Sequence, residues 1–242
     1  MQQMDRYNKY TFDSDYARAA NGLTLNQYVA RSFLWMFIGL MVTFGTAYLG
    51  YMTGALIFVF FVPIMPVVLV VAELAVVLVL SARIHKLKVG TARVLFLLYA
   101  VLNGVVFSTY FLIFEMSALI YIFALTAAFF GIFALYGRFT KRDLSGFGPY
   151  IVGGLIFLLV AGIVSMLLPL GGLERVISLF GIALFLGITA YDSQKIGRYY
   201  VAYQDDSAML QRASIFSALQ LYLDFINLFL YLLRFFARSR SD

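Results

Sequence analysis

The fold class this sequence predicts is an all-α integral membrane protein, a bundle of seven transmembrane helices with the C-terminal helix central, and three observations predict a membrane bundle. Hydrophobic residues make up 63% of the chain and charged residues only 12%, a balance outside that of soluble domains. The apolar residues gather into stretches close to the ~20 residues that a helix needs to cross ~30 Å of hydrocarbon. One of these, Leu221–Arg234, reads LYLDFINLFLYLLR and carries a carboxylate, Asp224, and an amide, Asn227. An ionisable group at mid-bilayer costs ~2.5 kcal/mol or more. Asp224 therefore requires surrounding protein and a partner.

Seven apolar spans are expected, at about 31–52, 55–82, 92–113, 116–137, 149–169, 175–197 and 213–236. Residues 1–27 form a polar tail that carries Asp5, Arg6, Lys9, Asp13, Asp15 and Arg18, with no apolar core of the kind a cleavable signal needs. A transmembrane domain over 28–237 and a basic tail over 238–242 follow. The second span is over-long and contains Pro63 and Pro66. Its helix proper is expected to begin near Pro66, after a bent or interfacial piece. The third and fourth spans meet at Phe114–Glu115 with almost no loop, which predicts a tight antiparallel hairpin. Glycines such as Gly153, Gly154, Gly181 and Gly187 permit close helix approach, and the interfacial tyrosines read as membrane-surface anchors.

Basic residues set the orientation. The tail and first span hold Arg6, Lys9, Arg18 and Arg31; the loops after the second, fourth and sixth spans hold Arg83, Lys86, Lys88, Arg93, Arg138, Lys141, Arg142, Lys195, Arg198 and Arg212. The other side has Arg175, with Arg234, Arg238 and Arg240 if the last span crosses completely. The positive-inside rule then places the N-terminus in the cytoplasm. The basic C-terminus pulls the other way, which keeps a six-span chain with a re-entrant last segment as the rival topology. Net charge of +6 serves topology and anionic headgroups rather than nucleic acid. With no cysteine and one histidine, His85 in a basic loop, thiol chemistry, zinc sites and histidine catalysis have no basis.

Three acids need explanation: Glu73, Asp192 and Asp224. Glu73 lies ten residues before Arg83, hence ~15 Å inside its helix. Asp192, in AYDSQKIGRYY, stands near the end of the sixth span with Lys195 three residues on, the spacing of a helical ion pair. Asp224 lies about 16 Å into the seventh span when that span starts near Ala213. A loop of about 15 residues would join two neighbouring helices. Carboxylates that meet there cannot comfortably both ionise and share a proton. Deprotonated, they offer hard oxygens to Ca²⁺, though far fewer than a full shell of six to eight. Weak binding of that kind suits conduction. For each acid the plain alternative is a structural hydrogen-bonding role.

The segments LYLDFINLFLYLLRFF, ITAYDSQKI, TKRDLSGFGPY and VVLVLSARI together resemble the Bax inhibitor family, its bacterial members in particular, over about 28–236. The resemblance implies a central last helix with six around it and a pH-sensitive calcium leak, without enzymatic activity or a cofactor, in a bacterial cell membrane. Asp192 and Asp224 match the family's pH-sensing and ion-binding pair. Arg83 matches, one residue early, an arginine that latches the pair. Arg234 matches an arginine late in the last helix, and Glu73 a glutamate that pairs across the outer pore. The implied partners are the lipid bilayer, protons and calcium ions. A different reading of the family is a non-conducting interaction protein that regulates a membrane protease or a stress or cell-death pathway. Tyr191–Asp192 also resembles one motif of intramembrane aspartyl proteases, but their Gly-x-Gly-Asp is missing because Leu221, Tyr222 and Leu223 precede Asp224.

Overall fold

The computed structural model describes residues 23–54, 61–167 and 172–238. The expected polar tail falls almost wholly outside them, as does the first part of the second span. Seven helices among the described residues are long and apolar enough to cross a membrane. α1 (Leu25–Thr53) starts three residues before the expected domain boundary, because a capping box fixes its end: Gln27 N–H donates to Thr24 Oγ1 and Thr24 N–H to Gln27 Oε1. It stops at Gly54, whose φ of 65° is a left-handed cap that favours glycine. α2 (Met65–Arg83) has Pro66 in its first turn, where proline's missing N–H costs nothing.

α3 (Val89–Phe107) breaks at Ser108 and Thr109, whose hydroxyls turn back onto the carbonyls of Val105 and Val106. A single turn, α4 (Tyr110–Ile113), then leads to α5 (Met116–Phe139). The connection is as short as expected, yet the long helices it joins diverge. α3 packs mainly on α1 and α2 and to a lesser extent on the last helix, whereas α5 packs on the last two helices. The redirected turn α4 is what sends them apart, so the predicted tight hairpin does not form. A 3-10 turn at Ser145–Phe147 leads into α6 (Gly148–Leu167), followed by α7 (Leu173–Tyr203) and α8 (Ser207–Arg238).

α7 and α8 correct the sequence reading most. Residues 198–212 were expected to be a loop, but only Gln204, Asp205 and Asp206 separate the two helices. Asp206 Oδ1 accepts the Met209 N–H and caps α8. α7 therefore spans 31 residues, ~46 Å, well beyond the hydrocarbon thickness. Asp192 consequently lies eleven residues, ~16 Å, from the α7 terminus.

Burial is uneven. Two-thirds of the α8 span is buried, 67%, against 11% for α6 and 17% for α2. α8 packs on α7, α1, α5 and α3, while α2 leans on α3 and α6 on α7. Tyr28, Phe96, Tyr200, Tyr222 and Phe229 are the largest fully buried side chains. Phe44, Phe107, Phe123, Phe225 and Phe229 interlock as edge-on and tilted rings between α1, α3, α5 and α8. The outward faces are apolar: Leu34, Phe37 and Met41 on α1, Val70, Leu74 and Leu78 on α2, and Ile156, Leu159 and Ile163 on α6 are all exposed. So much outward apolar surface, on helices of this length, is lipid-facing surface.

Candidate ion and proton site between the last two helices

α7 and α8 run antiparallel through the short connection at 204–206, and the register sets Asp192 beside the middle of α8. The Gln220 side-chain amide donates to both Asp192 oxygens at 3.4 Å. Lys195 Nζ stands 3.8 Å from Asp192 Oδ1, the i,i+3 pair that the sequence spacing indicates. Lys195 also lies over the rings of Tyr191 and Tyr199, 5.6 Å from each centroid. Asp192 is thus buried, with 8% exposure, but well supplied with partners.

Asp224 is one turn beyond Gln220 on α8 and is 3% exposed. Its Oδ2 is buried without a hydrogen-bond partner among the described residues. The two carboxylates are within electrostatic reach of each other and of Lys195. No hydrogen bond joins them; Gln220 stands against Asp192 instead. A buried oxygen left unpaired beside a second acid is costly and calls for a proton, a cation or water.

Hydroxyls continue the polar stripe toward the 204–206 end. Ser217, Gln220 and Asp224 share one face of α8 by their spacing of three and four. Ser217 Oγ, Tyr28 Oη and Ser193 Oγ are buried, the first two facing each other across α8 and α1, and Ser32 pairs with Ser214 at 3.2 Å. Sequence reasoning did not reach Gln220, Ser193 or Ser217. The signal for Gln220 was available, because it precedes Asp224 by one turn, but an uncharged amide does not stand out by cost.

The remaining candidate residues are placed elsewhere. Arg83 ends α2 with an exposed side chain and no ion pair among the described residues. Glu73 is half-buried, with Oε1 unpartnered, and it faces Tyr99 and Tyr222 rather than Arg234. Arg234 is exposed near the far end of α8, its guanidinium 5.6 Å over the Tyr231 ring. It lines a cleft of about 270 Å³ with Gly162, Ser165, Glu174 and Ile177.

The α5–α6 loop is fastened to α7 just beyond Asp192, at Gln194 and Arg198. Gln194 accepts the Leu144 N–H at 2.9 Å and donates to the Arg142 carbonyl at 2.8 Å. Arg198 stands 3.8 Å from Asp143. Hydrogen bonds from Ser145, first of all its backbone N–H, hold the Asp143 carboxyl below the usual carboxylate range. No group of three or more metal-ligating side chains occurs among the described residues. The acid pair, with the Gln220 amide oxygen on offer after an amide flip, can grip a divalent cation only weakly.

A seven-span helical membrane protein with a buried acid pair on its last two helices is the class that fold and site define. The chain belongs to the Bax inhibitor family: the family model described as "Inhibitor of apoptosis-promoting Bax1" matches residues 25–241. It is 39% identical to the inner membrane protein YbhL of Escherichia coli over 218 residues, 89% of this chain and 93% of that protein. An uncharacterized protein of Borreliella burgdorferi is 37% identical over 226 residues, covering 91% and 95% of the two chains. An uncharacterized membrane protein of Streptococcus pyogenes is 35% identical over 169 residues, covering 70% and 72%.

Proposed function

We propose that the protein is a pH-sensitive calcium leak of the cell membrane, not an enzyme, with α8 as the axis of the bundle and Asp192 and Asp224 as its sensor and ion-binding pair. The observation that carries this reading is the buried, unpartnered Asp224 Oδ2 within electrostatic reach of Asp192. At neutral pH Asp192 is engaged with Lys195 on its own helix and accepts from Gln220 of α8, and it is this Gln220 bridge that holds α7 and α8 together and keeps the route shut. Acid protonates the pair, which weakens the charge-assisted bond from Gln220 that ties α7 to α8 and frees the helices to part. Protons and calcium compete for the same oxygens, because a protonated carboxyl is a poor ligand for a hard cation.

Lys195 takes in this account the part that the family resemblance gives to Arg83, since Lys195 is the cation beside the acids. Glu73 and Arg234 act from the rim of the route rather than at its centre. Calcium uptake by liposomes containing the purified protein, followed at several pH values, tests the proposal. Asp192→Asn and Asp224→Asn are each expected to flatten the acid dependence. Uptake no greater than in empty liposomes at every pH refutes the leak and favours an interaction protein that restrains a membrane protease or another membrane target.

A further inference from the structure

A route past the acid pair must reach the other side of the membrane, and the α7–α8 interface has a defined obstacle there. Tyr231 lies seven residues, two turns or ~10 Å, beyond Asp224 on the same face of α8. Its ring packs flat against Phe185, centroids 5.7 Å apart at 27°. It also rests directly on the Gly181 backbone, where a β-carbon would come within 2.5 to 2.7 Å of three ring atoms. Only a residue without a side chain leaves room for the ring there. One turn further out, Ile177 on α7 and Arg234 on α8 already line the 270 Å³ cleft, with Glu174 and Ser165 on its walls. The Tyr231 ring is therefore the layer between that cleft and the segment of α8 that leads to Asp224.

We propose that Tyr231 is the outer gate of the route, a ring seated on Gly181 and stacked on Phe185 that separates the cleft from the buried acids. The proposal rests on the conduction reading for its purpose, but the barrier itself is a property of the packing. Gly181 is a positioning residue: it gives the ring its seat. Arg234 lies over the ring and places a positive charge at the cleft mouth, so a cation crosses there only when the ring and its arginine swing aside together.

The chain has no cysteine, so single introduced thiols report access cleanly. Leu228, fully buried between Asp224 and Tyr231, is replaced by Cys, and a membrane-impermeant thiol reagent is added from the side on which Ser165→Cys reacts. Leu228→Cys alone, and with Tyr231→Phe, is expected to stay unlabelled. With Tyr231→Ala, or with Gly181→Ala, which unseats the ring without deleting it, labelling is expected to go to completion. Protection that survives both variants, or labelling of Leu228→Cys with Tyr231 intact, overturns the gate. Calcium uptake is read in the same variants: a rise at neutral pH in Tyr231→Ala is expected, while labelling gained with no flux in any variant overturns the leak and leaves the barrier standing.

Discussion

At the scale of single residues, the site turns on which cation answers the acids. Lys195 lies 3.8 Å from Asp192, and Arg83 is exposed and unpaired among the described residues. Lys195→Met leaves the buried acids without their neighbouring positive charge, which favours the neutral, protonated pair and so mimics acid. Its calcium uptake at neutral pH is expected to rise toward the level the parent reaches in acid, whereas Arg83→Ala is expected to follow the parent curve. The reverse pattern would return the latch to α2. Asp192, Asp224 and Lys195 were legible in the sequence because charge inside an apolar run is costly and helical spacing pairs i with i+3. Their partner Gln220 was not, and neither were the serines. Small uncharged polar residues are tolerated in membrane helices for packing alone, so a string of letters does not say which of them face a buried acid.

At the scale of elements, hydropathy located every span but misjudged where helices end. The pattern of apolar residues measures lipid thickness, while a helix ends where its terminal groups find caps. Asp206 and Thr24 decide the two cases that differ most here. Close packing was legible in part: Gly154 and Gly181 meet Leu184 and Tyr231, Gly153 and Gly187 face open space, and Gly137 was missed. A β-carbon at Gly137 would collide with the Ala190 backbone carbonyl, which makes Gly137 the point of nearest approach between α5 and α7. Gly137→Ala must push the two helices apart and is expected to cost about 1–3 kcal/mol, read as a lower unfolding temperature in detergent. Gly131→Ala, with open space around it, is expected to leave that temperature unchanged. The α5–α6 loop tests the other fastening. Gln194→Ala removes both loop hydrogen bonds, and trypsin is expected to cut after Arg142 faster than in the parent. Acid should loosen the same loop. The Asp143 carboxyl is held low in the folded protein, so its contribution is present above the ordinary carboxylate range and is lost as pH falls through its depressed value.

At the scale of the whole molecule, the seven-span reading and the basic C-terminus were in tension, and the length of α8 bears on it. The membrane-competent part of α8 runs over Ser207–Phe236, 30 residues, or ~45 Å. A helix of that length crosses the hydrocarbon with turns to spare, and it need not bend back to keep Arg234 in water. Arg234 is exposed at its far end and lines the cleft between α6, α7 and α8, beside the N-terminal turn of α7 and far from the 204–206 connection. Seven crossings put the two termini on opposite sides. The Lys and Arg residues of the α2–α3 and α5–α6 connections, with Arg198 and Arg212 on the ends of α7 and α8 that meet at 204–206, favour the cytoplasm for the N-terminal side. The three arginines after Leu233 are outweighed because α8 is fixed by its packing on four other helices. Fused to the C-terminus, a phosphatase that is active only outside the cytoplasm is expected to be active, and a fluorescent protein that matures only inside it is expected to stay dark. The same pair of reporters at the N-terminus should give the opposite result. A bright C-terminal fusion together with a bright N-terminal one would mean an even number of crossings. The acid pair would then lie on a re-entrant hairpin, its Asp224 reached from one side only, and a route through the bundle along α8 would be ruled out.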